Sequence, residues 1–325
     1  MPYEKFDRLK LKLLPLSERV SDIDISIMAD INQPDESYKH HALKPLAYAI
    51  KKARDSKAAV VMMCGAHVLR QGMGPYIISL MKDGYISQFS TNGAGAIHDF
   101  EFALIGATCE SVAKYISEGQ FGLWKETSLI NEAIEQGLKT GYGAGEAIGR
   151  YILDNNFKFN GTSVLAQAVK FKVPATVHIG IGNDIIHEHP NCDGAVLGSA
   201  SYIDFLIYAR SIQNLSGGVF MNFGSAVTGP EVYLKCLAMA RNAAHQEGKE
   251  ITDFTTAVFD LLELPDEDYG ITPEKSDPRY YFRPWKTILS RTVADGGKSY
   301  YIAGEHRKTI PALYNALRAL ERDKV

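Results

Sequence analysis

Cysteine is scarce in this chain: Cys64, Cys109, Cys192 and Cys236 are the four among 325 residues, and no two share a C-x-x-C spacing. That argues against a disulfide framework and a structural zinc cluster, and four reduced thiols are expected. Massed charge of one sign is missing too. Lys and Arg total 35 against 38 Asp and Glu, the formal net charge is −3 and the sequence pI is about 6.3. The basic residues are scattered, which leaves no electrostatic footprint for nucleic acid or an anionic membrane, so neither is an expected partner. The opening MPYEKFDRLKLKLLPLSERV carries charges throughout and lacks a long apolar core. Neither a signal peptide nor a membrane span is read there, and a cytoplasmic location is expected. Internal repeats and low-complexity tracts are absent.

Apolar material is abundant. At 46% hydrophobic residues the chain has enough for a large core, in one big α/β domain or two smaller ones. Residues 1–42 read as an N-terminal extension closed by the turn-forming run Asn32 to Ser37, packing on the main domain or on a neighbouring subunit. Residues 43–325 then alternate. A helix runs to Arg54, a strand follows at Ala59 to Cys64, a helical stripe carries Leu69, Ile77, Ile78, Leu80 and Met81, and a second strand spans Tyr85 to Ser90. Helical character resumes at His98 and extends to about Gly137. Further helices are expected at 146–154, 164–169, 202–212 and 230–244, with strands at 173–179, 218–222 and 252–259. Alternation of this kind predicts an α/β fold, a doubly wound, mainly parallel Rossmann-like sheet with helices on both faces.

In such a sheet the loops at the carboxyl ends of the strands form the ligand crevice. Small and polar residues gather at Gly180 to Asp184, Phe223 to Ala226 and Asp295 to Gly297. The run Thr91-Asn92-Gly93-Ala94-Gly95-Ala96 opens a helix, and small residues there let a backbone approach a phosphate or dinucleotide. Its spacing is not the usual dinucleotide fingerprint, so a plain tight strand-to-helix turn is the alternative.

Three of the nine histidines, His178, His187 and His189, fall close to Asp184, Glu188, Cys192 and Asp193. A metal site is one reading and a polar ligand loop the other; no known zinc-helix spacing is present, and no metal is expected. His67 and His98 follow small-residue turns where an imidazole acts as acid or base, or else satisfies a buried carbonyl. Asp99 and Glu101 sit near a helix start, where acidic residues also have a plain electrostatic reason to be. Ser276 to Thr287 is an irregular segment dense in aromatic and charged groups. Tyr280, Tyr281, Trp285, Asp277 and Glu274 would suit a cationic amine, and Lys286 is a candidate imine-forming nucleophile. A Trp-Lys pair packed at an oligomer interface is the alternative.

The order of these motifs, from the turn after Cys64 through Thr91 to Asp99, Pro174 to Asp184, Gly217 to Ser225, Thr256 to Asp260 and Trp285-Lys286, resembles deoxyhypusine synthase from about Ala42 to the C-terminus. The resemblance implies a homotetramer that uses NAD to oxidise spermidine and passes the aminobutyl fragment through a lysine imine, with a small amine as possible acceptor. It places Ala66, His67 and Val68 at the family's Ser-Asn-Leu cofactor loop, Thr91, Gly93, Ala94 and Gly95 at its Thr-Thr-Ala-Gly-Gly loop, and Gly224 and Ser225 in its glycine-rich stretch. Asn183 and Asp184 align roughly with its Thr-Asp-Gly-Ser loop. Lys286 and His98 become the catalytic candidates, and Trp285, Asp277, Asp99 and Tyr281 the substrate-binding ones.

The chain also departs from that pattern. Ile97-His98-Asp99 replaces two acidic residues before an Asp, Thr228-Gly229-Pro230 replaces Lys-His-His, and Trp285-Lys286 shortens Trp-Gly-Lys. A fold that kept nucleotide binding and lost the chemistry is therefore the second reading. A metal-dependent hydrolase or lyase built on His178, His187, His189 and Cys192 is the third.

Overall fold

The computed structural model describes residues 3–265 and 269–322. The chain first forms a short strand, Ser21–Asp24 (β1), and then a helix, Leu43–Asp55 (α1), whose Leu43, Leu46, Ala47, Ile50 and Ala53 recur at helical spacing and are buried. Val60–Cys64 (β2) is buried at every position. Helices Ala66–Arg70 (α2) and Gly74–Lys82 (α3) lead to Gln88–Asn92 (β3), which runs without a loop into Gly93–Ile105 (α4). Gly106, left-handed at φ 68°, ends α4, and Ala107–Glu110 (β4) follows. Helices Val112–Ser117 (α5), Leu129–Lys139 (α6), Ala144–Asp154 (α7) and Val164–Phe171 (α8) precede Ala175–His178 (β5). The remainder is Gly194–Ile212 (α9), Val219–Phe223 (β6), Thr228–Gln246 (α10), Thr255–Asp260 (β7), a π-helix at Pro284–Arg291, Lys298–Ala303 (β8) and His306–Arg322 (α11).

Six of these strands make one parallel sheet in the order β5-β3-β2-β6-β7-β8. The first of the six lies inside the sheet, the chain works outward to β5, and then it returns to β6 on the other side. This is the Rossmann order, and its reversal point lies between β2 and β6. Met62 pairs with Phe89 on one side and Met221 on the other. Alternate residues of β2 enter different cores: Val60, Met62 and Cys64 join one, and Val61 and Met63, with Ala59 just before the strand, join the other. Both faces are therefore covered, which is why the strand reads as a continuous apolar run.

Several sequence expectations shift. The second strand lies at Gln88–Asn92, so Thr91 and Asn92 belong to the sheet, paired with Val177 and His178, and the small residues after them form the first turn of α4. The helix expected up to Gly137 is broken at Gly106, because β4 turns away to pair antiparallel with β1. Asp295 to Gly297 precede β8 and so lie at its amino end, remote from the carboxyl-end crevice. Two thirds of the irregular segment at 276–287 is helical, Pro278–Tyr281 and the start of Pro284–Arg291, with Trp285 buried.

Because β5 is an edge strand, its outward backbone groups need partners. Asp204 of α9 supplies one, accepting from the Val177 amide at 2.8 Å and from the Gly145 amide at the start of α7 at 2.9 Å. Burial pushes this carboxyl up to about 7. A raised carboxyl binds its proton more tightly in the folded state, so its contribution is fully present below pH 3.8 and is lost as pH rises through about 7. Asp204→Asn is expected to remove that dependence. Urea denaturation at pH 5 and pH 8 should show the variant losing less stability than the parent across the interval, and parallel losses would refute the assignment.

Candidate active site

The reversal point of the sheet is built for close backbone approach. Gly65 ends β2, and a Cβ there would collide with the carbonyl oxygen of Gly224 at the end of β6. Gly224 itself is left-handed at φ 57° and packs on the His306 ring. Ser225 follows, its hydroxyl accepting from the Gly229 amide at 2.8 Å and so capping the first turn of α10. His67 and His306 face each other edge-on with ring centroids 6.4 Å apart, and Phe223 packs against His306 at 6.2 Å. His306 is buried with Nδ1 unpartnered, and desolvation holds it down to about 4. Arg70 donates to His67 Nδ1 at 2.8 Å. The start of α2 carries no side-chain cap, which leaves its first amides available to an anion.

The neighbouring helix start is already filled. Asn92 Oδ1 accepts from the Gly95 amide at 2.9 Å, and Asp184 accepts from the Ala94 amide while lying against Gly93 Cα. Desolvation, set against that one amide, raises Asp184 to about 6. From here a cavity of about 460 Å³ opens toward α9 and α10, lined among others by Asn92, His178, Asn183, Asp184, Thr228 and Glu231. His178 is buried against Tyr208 and pushed down to about 4 by desolvation. Lys235, hydrogen-bonded beside Glu231, holds that carboxyl below its usual range, with Arg283 and Lys286 adding to the effect.

On the other side of Asp184 lies a second cleft, of about 310 Å³, roofed by the β1–β4 pair and lined by Arg19, Arg70, His98, Glu101, Cys109 and Asp184 among others. Arg19 and Glu101 form a buried bidentate pair at 2.7 and 3.0 Å. Thr108 and Thr127 hydroxyls also donate to Glu101, at 2.8 and 2.9 Å. Cys109 is left-handed at φ 65°, a conformation that costs a non-glycine residue about 1–3 kcal/mol.

The sequence candidates distribute unevenly over this geometry. Ala66 and His67 open α2 beside the crevice, while Val68 is fully buried in the core. Gly93, Asn183 and Asp184 line the larger cavity, Ala94 lines the smaller cleft, and Gly95 packs on the Thr91 hydroxyl, which donates to the Cys64 carbonyl at 3.0 Å. Asp99 points away from both cavities. Its carboxylate accepts from the Ser163 hydroxyl and from the Val164 and Leu165 amides, capping α8, and burial raises it to about 6. Lys286 is buried with Nζ 3.9 Å from the Tyr280 ring centroid and 6.0 Å from that of Tyr281, which is itself exposed. It lines neither cavity, and its charge is felt at Glu231 in the wall of the larger one. Trp285 packs in a core against Tyr269, donates to the Ile271 carbonyl at 3.1 Å, and shares a separate surface groove with Asp277. The proposed metal residues do not converge: His189 contacts the Gly122 carbonyl, His187 Nδ1 accepts from the Asp184 amide, and among the described residues no group of three or more His, Cys, Asp or Glu is arranged to hold a metal ion. Nor is any helix among them long and apolar enough to cross a membrane. Arg19, Arg70, Thr108, Glu231 and His306 enter the site without any local sequence signal.

Residues 44–169, fewer than half of the chain, match the family model described as arginine dihydrolase ArgZ-like, C-terminal, Rossmann fold. No curated protein matches the chain in sequence. Among solved structures, AgrE in its ternary complex with ornithine and NAD+ superposes with a TM-score of 0.52 at 14% identity, over 89% of this chain and 34% of that one. A protein of Methanococcus maripaludis S2 assigned as LOR/SDH gives 0.51 at 15% identity, over 89% and 74%. An Entamoeba histolytica protein assigned to the deoxyhypusine synthases gives 0.45 at 10% identity, over 86% and 87%, too distant to carry an argument. The chain spans about a third of the length of the ArgZ and AgrE chains it matches. These likenesses establish an α/β Rossmann fold.

The buried ion pair makes a direct demand. Arg19→Met leaves the Glu101 carboxylate unpaired in the interior and is expected to cost about 3–5 kcal/mol in chemical denaturation, with the Arg19→Met/Glu101→Leu double variant recovering most of it. A single-variant loss below about 1 kcal/mol would mean that the pair is dispensable.

Proposed function

We propose that the crevice at the carboxyl ends of β2 and β6 takes NAD and that the protein is an NAD-dependent enzyme acting on an amine-bearing small molecule. The observation that carries this reading is the Rossmann strand order with two glycines, Gly65 and Gly224, closing the floor at its reversal point. The residues suit a dinucleotide: His67 and Ser225 follow the two glycines at the strand ends, and Asn92 and Asn183 line the cavity that opens beside them. When bound, NAD supplies hydride acceptance from the carbon that bears the amine. Asp184, which stands in the wall of both cavities, provides counter-charge for that amine. AgrE, whose structure holds ornithine and NAD+, supports the pairing of this fold with an amino compound and this cofactor.

Calorimetric titration of NAD tests the reading. Gly65→Ala is expected to weaken binding at least about tenfold, roughly 1.4 kcal/mol, because its Cβ meets backbone. Gly161→Ala, which meets open space, serves as control. Equal affinity in both variants, or no binding by the parent protein, would remove the crevice as a dinucleotide site.

In its finer form the reading takes Lys286 as the amine that captures an oxidised aminobutyl fragment as an imine before transfer to an acceptor. Burial of Lys286 beside Tyr280, with its charge felt at Glu231 in the cavity wall, supports this form. With spermidine and NAD, borohydride should trap an adduct on the parent and none on Lys286→Ala. Persistent trapping in the variant would take Lys286 out of the chemistry, and NAD binding with no product at all would favour a fold that kept only the cofactor site.

A further inference from the structure

The second cleft contains a hydrogen-bond relay that dinucleotide binding does not use. Glu101 accepts from four donors: both Arg19 nitrogens, the Thr127 hydroxyl and the Thr108 hydroxyl. A threonine has one hydroxyl hydrogen, and that of Thr108 is committed to Glu101. Its oxygen also stands 2.8 Å from His98 Nδ1, so in this contact the imidazole donates and threonine accepts. A neutral ring protonated at Nδ1 carries its lone pair on Nε2. The relay thus makes Nε2 of His98 an acceptor, and burial, which pushes His98 down to about 4, keeps the ring neutral above that pH.

The charge of the cleft selects what meets that acceptor. Four carboxylates line it, Asp22, Glu101, Glu110 and Asp184, against two guanidinium groups, Arg19 and Arg70. Arg19 and Glu101 neutralise each other, and Glu110 is satisfied by the Gly122 amide and the Trp124 indole at 2.9 and 2.8 Å. Asp184 accepts from the Ala94 amide and caps the turn at Ile185–His187, but among the described residues it has no ion-pair partner, so a cation is the complement it lacks. Ile97, Val112, Phe121 and Ile185 supply apolar wall for a short aliphatic chain.

We propose that this cleft is the amine pocket: a small aliphatic amine enters as its cation, one N–H donating to His98 Nε2 and another to the Asp184 carboxylate, with Thr108 and Glu101 as positioning residues that fix the acceptor tautomer. The assignment rests on reading the protein as an enzyme of amines and names where the amine sits. An imidazole of ordinary basicity would be partly protonated near neutral pH and would repel the ligand; this one does not.

The test uses protein labelled with nitrogen-15 at histidine, the His98 signals being assigned with His98→Gln, and 1,4-diaminobutane as probe. Expected are a protonated Nδ1 and a bare Nε2 in the parent, and a shift of Nε2 on adding the diamine. Thr108→Val, close in size, should mix the tautomers and weaken diamine binding at least tenfold, Thr108→Ser should restore both, and Asp184→Asn should weaken binding with the tautomer intact. A parent ring protonated at Nε2, a diamine that moves no His98 signal, or a Thr108→Val variant that matches the parent would each overturn the proposal. NAD titrated into the same samples keeps the readings apart: failure of NAD to bind the parent defeats the cofactor assignment, while the diamine and tautomer results still decide this one.

Discussion

One buried ion pair organises the working end of this molecule. Arg19 lies in the N-terminal extension and Glu101 in the middle of α4, and their bidentate contact joins two segments 82 residues apart. Removing two charges from water is expensive, and the arrangement is tolerable because two further hydroxyls, from Thr108 and Thr127, complete the carboxylate's hydrogen bonds. Those hydroxyls come from β4 and from the turn before α6, so the same carboxylate gathers four stretches of chain. The short β1–β4 pair is held over α4 by this node, and the smaller cleft exists because the pair is held there.

The sheet imposes a different constraint. At the reversal point two strand ends must diverge while their backbones remain in contact, and glycine at 65 and 224 is the chemical solution. Where the dinucleotide fingerprint of a more familiar sequence would place several glycines after the first strand, this chain distributes the small residues over two strand ends and fills the start of α4 with its own Asn92 and Asp184. The start of α4 is thereby turned into a carboxylate-bearing wall.

How much of this the sequence discloses depends on how local the cause is. β2 is buried at every position and reads as a continuous apolar run, and β6 and the middle of β7 are buried with only Asn222 and Thr256 breaking the apolar pattern, so the alternation of strands and helices, and with it the fold class, is legible. β1 and β4, SDID and ATCE, are short and polar and acquire their strand character from each other, which no window of neighbouring residues contains. β8 is likewise half-exposed at its start and shows no continuous apolar run. Within the site, Gly224, Ser225 and His67 were legible because strand-end turns announce themselves. Asp99 was misleading: an acid near the start of one helix caps another, 65 residues on. Thr108 and Arg19 carried no signal, since their roles come from partners brought in by folding alone.

Asp184 stands in the wall common to both cavities. A single ionisable group seen from two chambers makes their occupancies thermodynamically linked: whatever charge enters one chamber alters the free energy of this carboxylate, and therefore the welcome it gives in the other. Linkage of this kind is reciprocal by necessity, equal in both directions, and requires no movement of the backbone. The loop from Ile179 to Asp184 is then more than a partition, because a charge bound on either side of it would meet the same carboxylate.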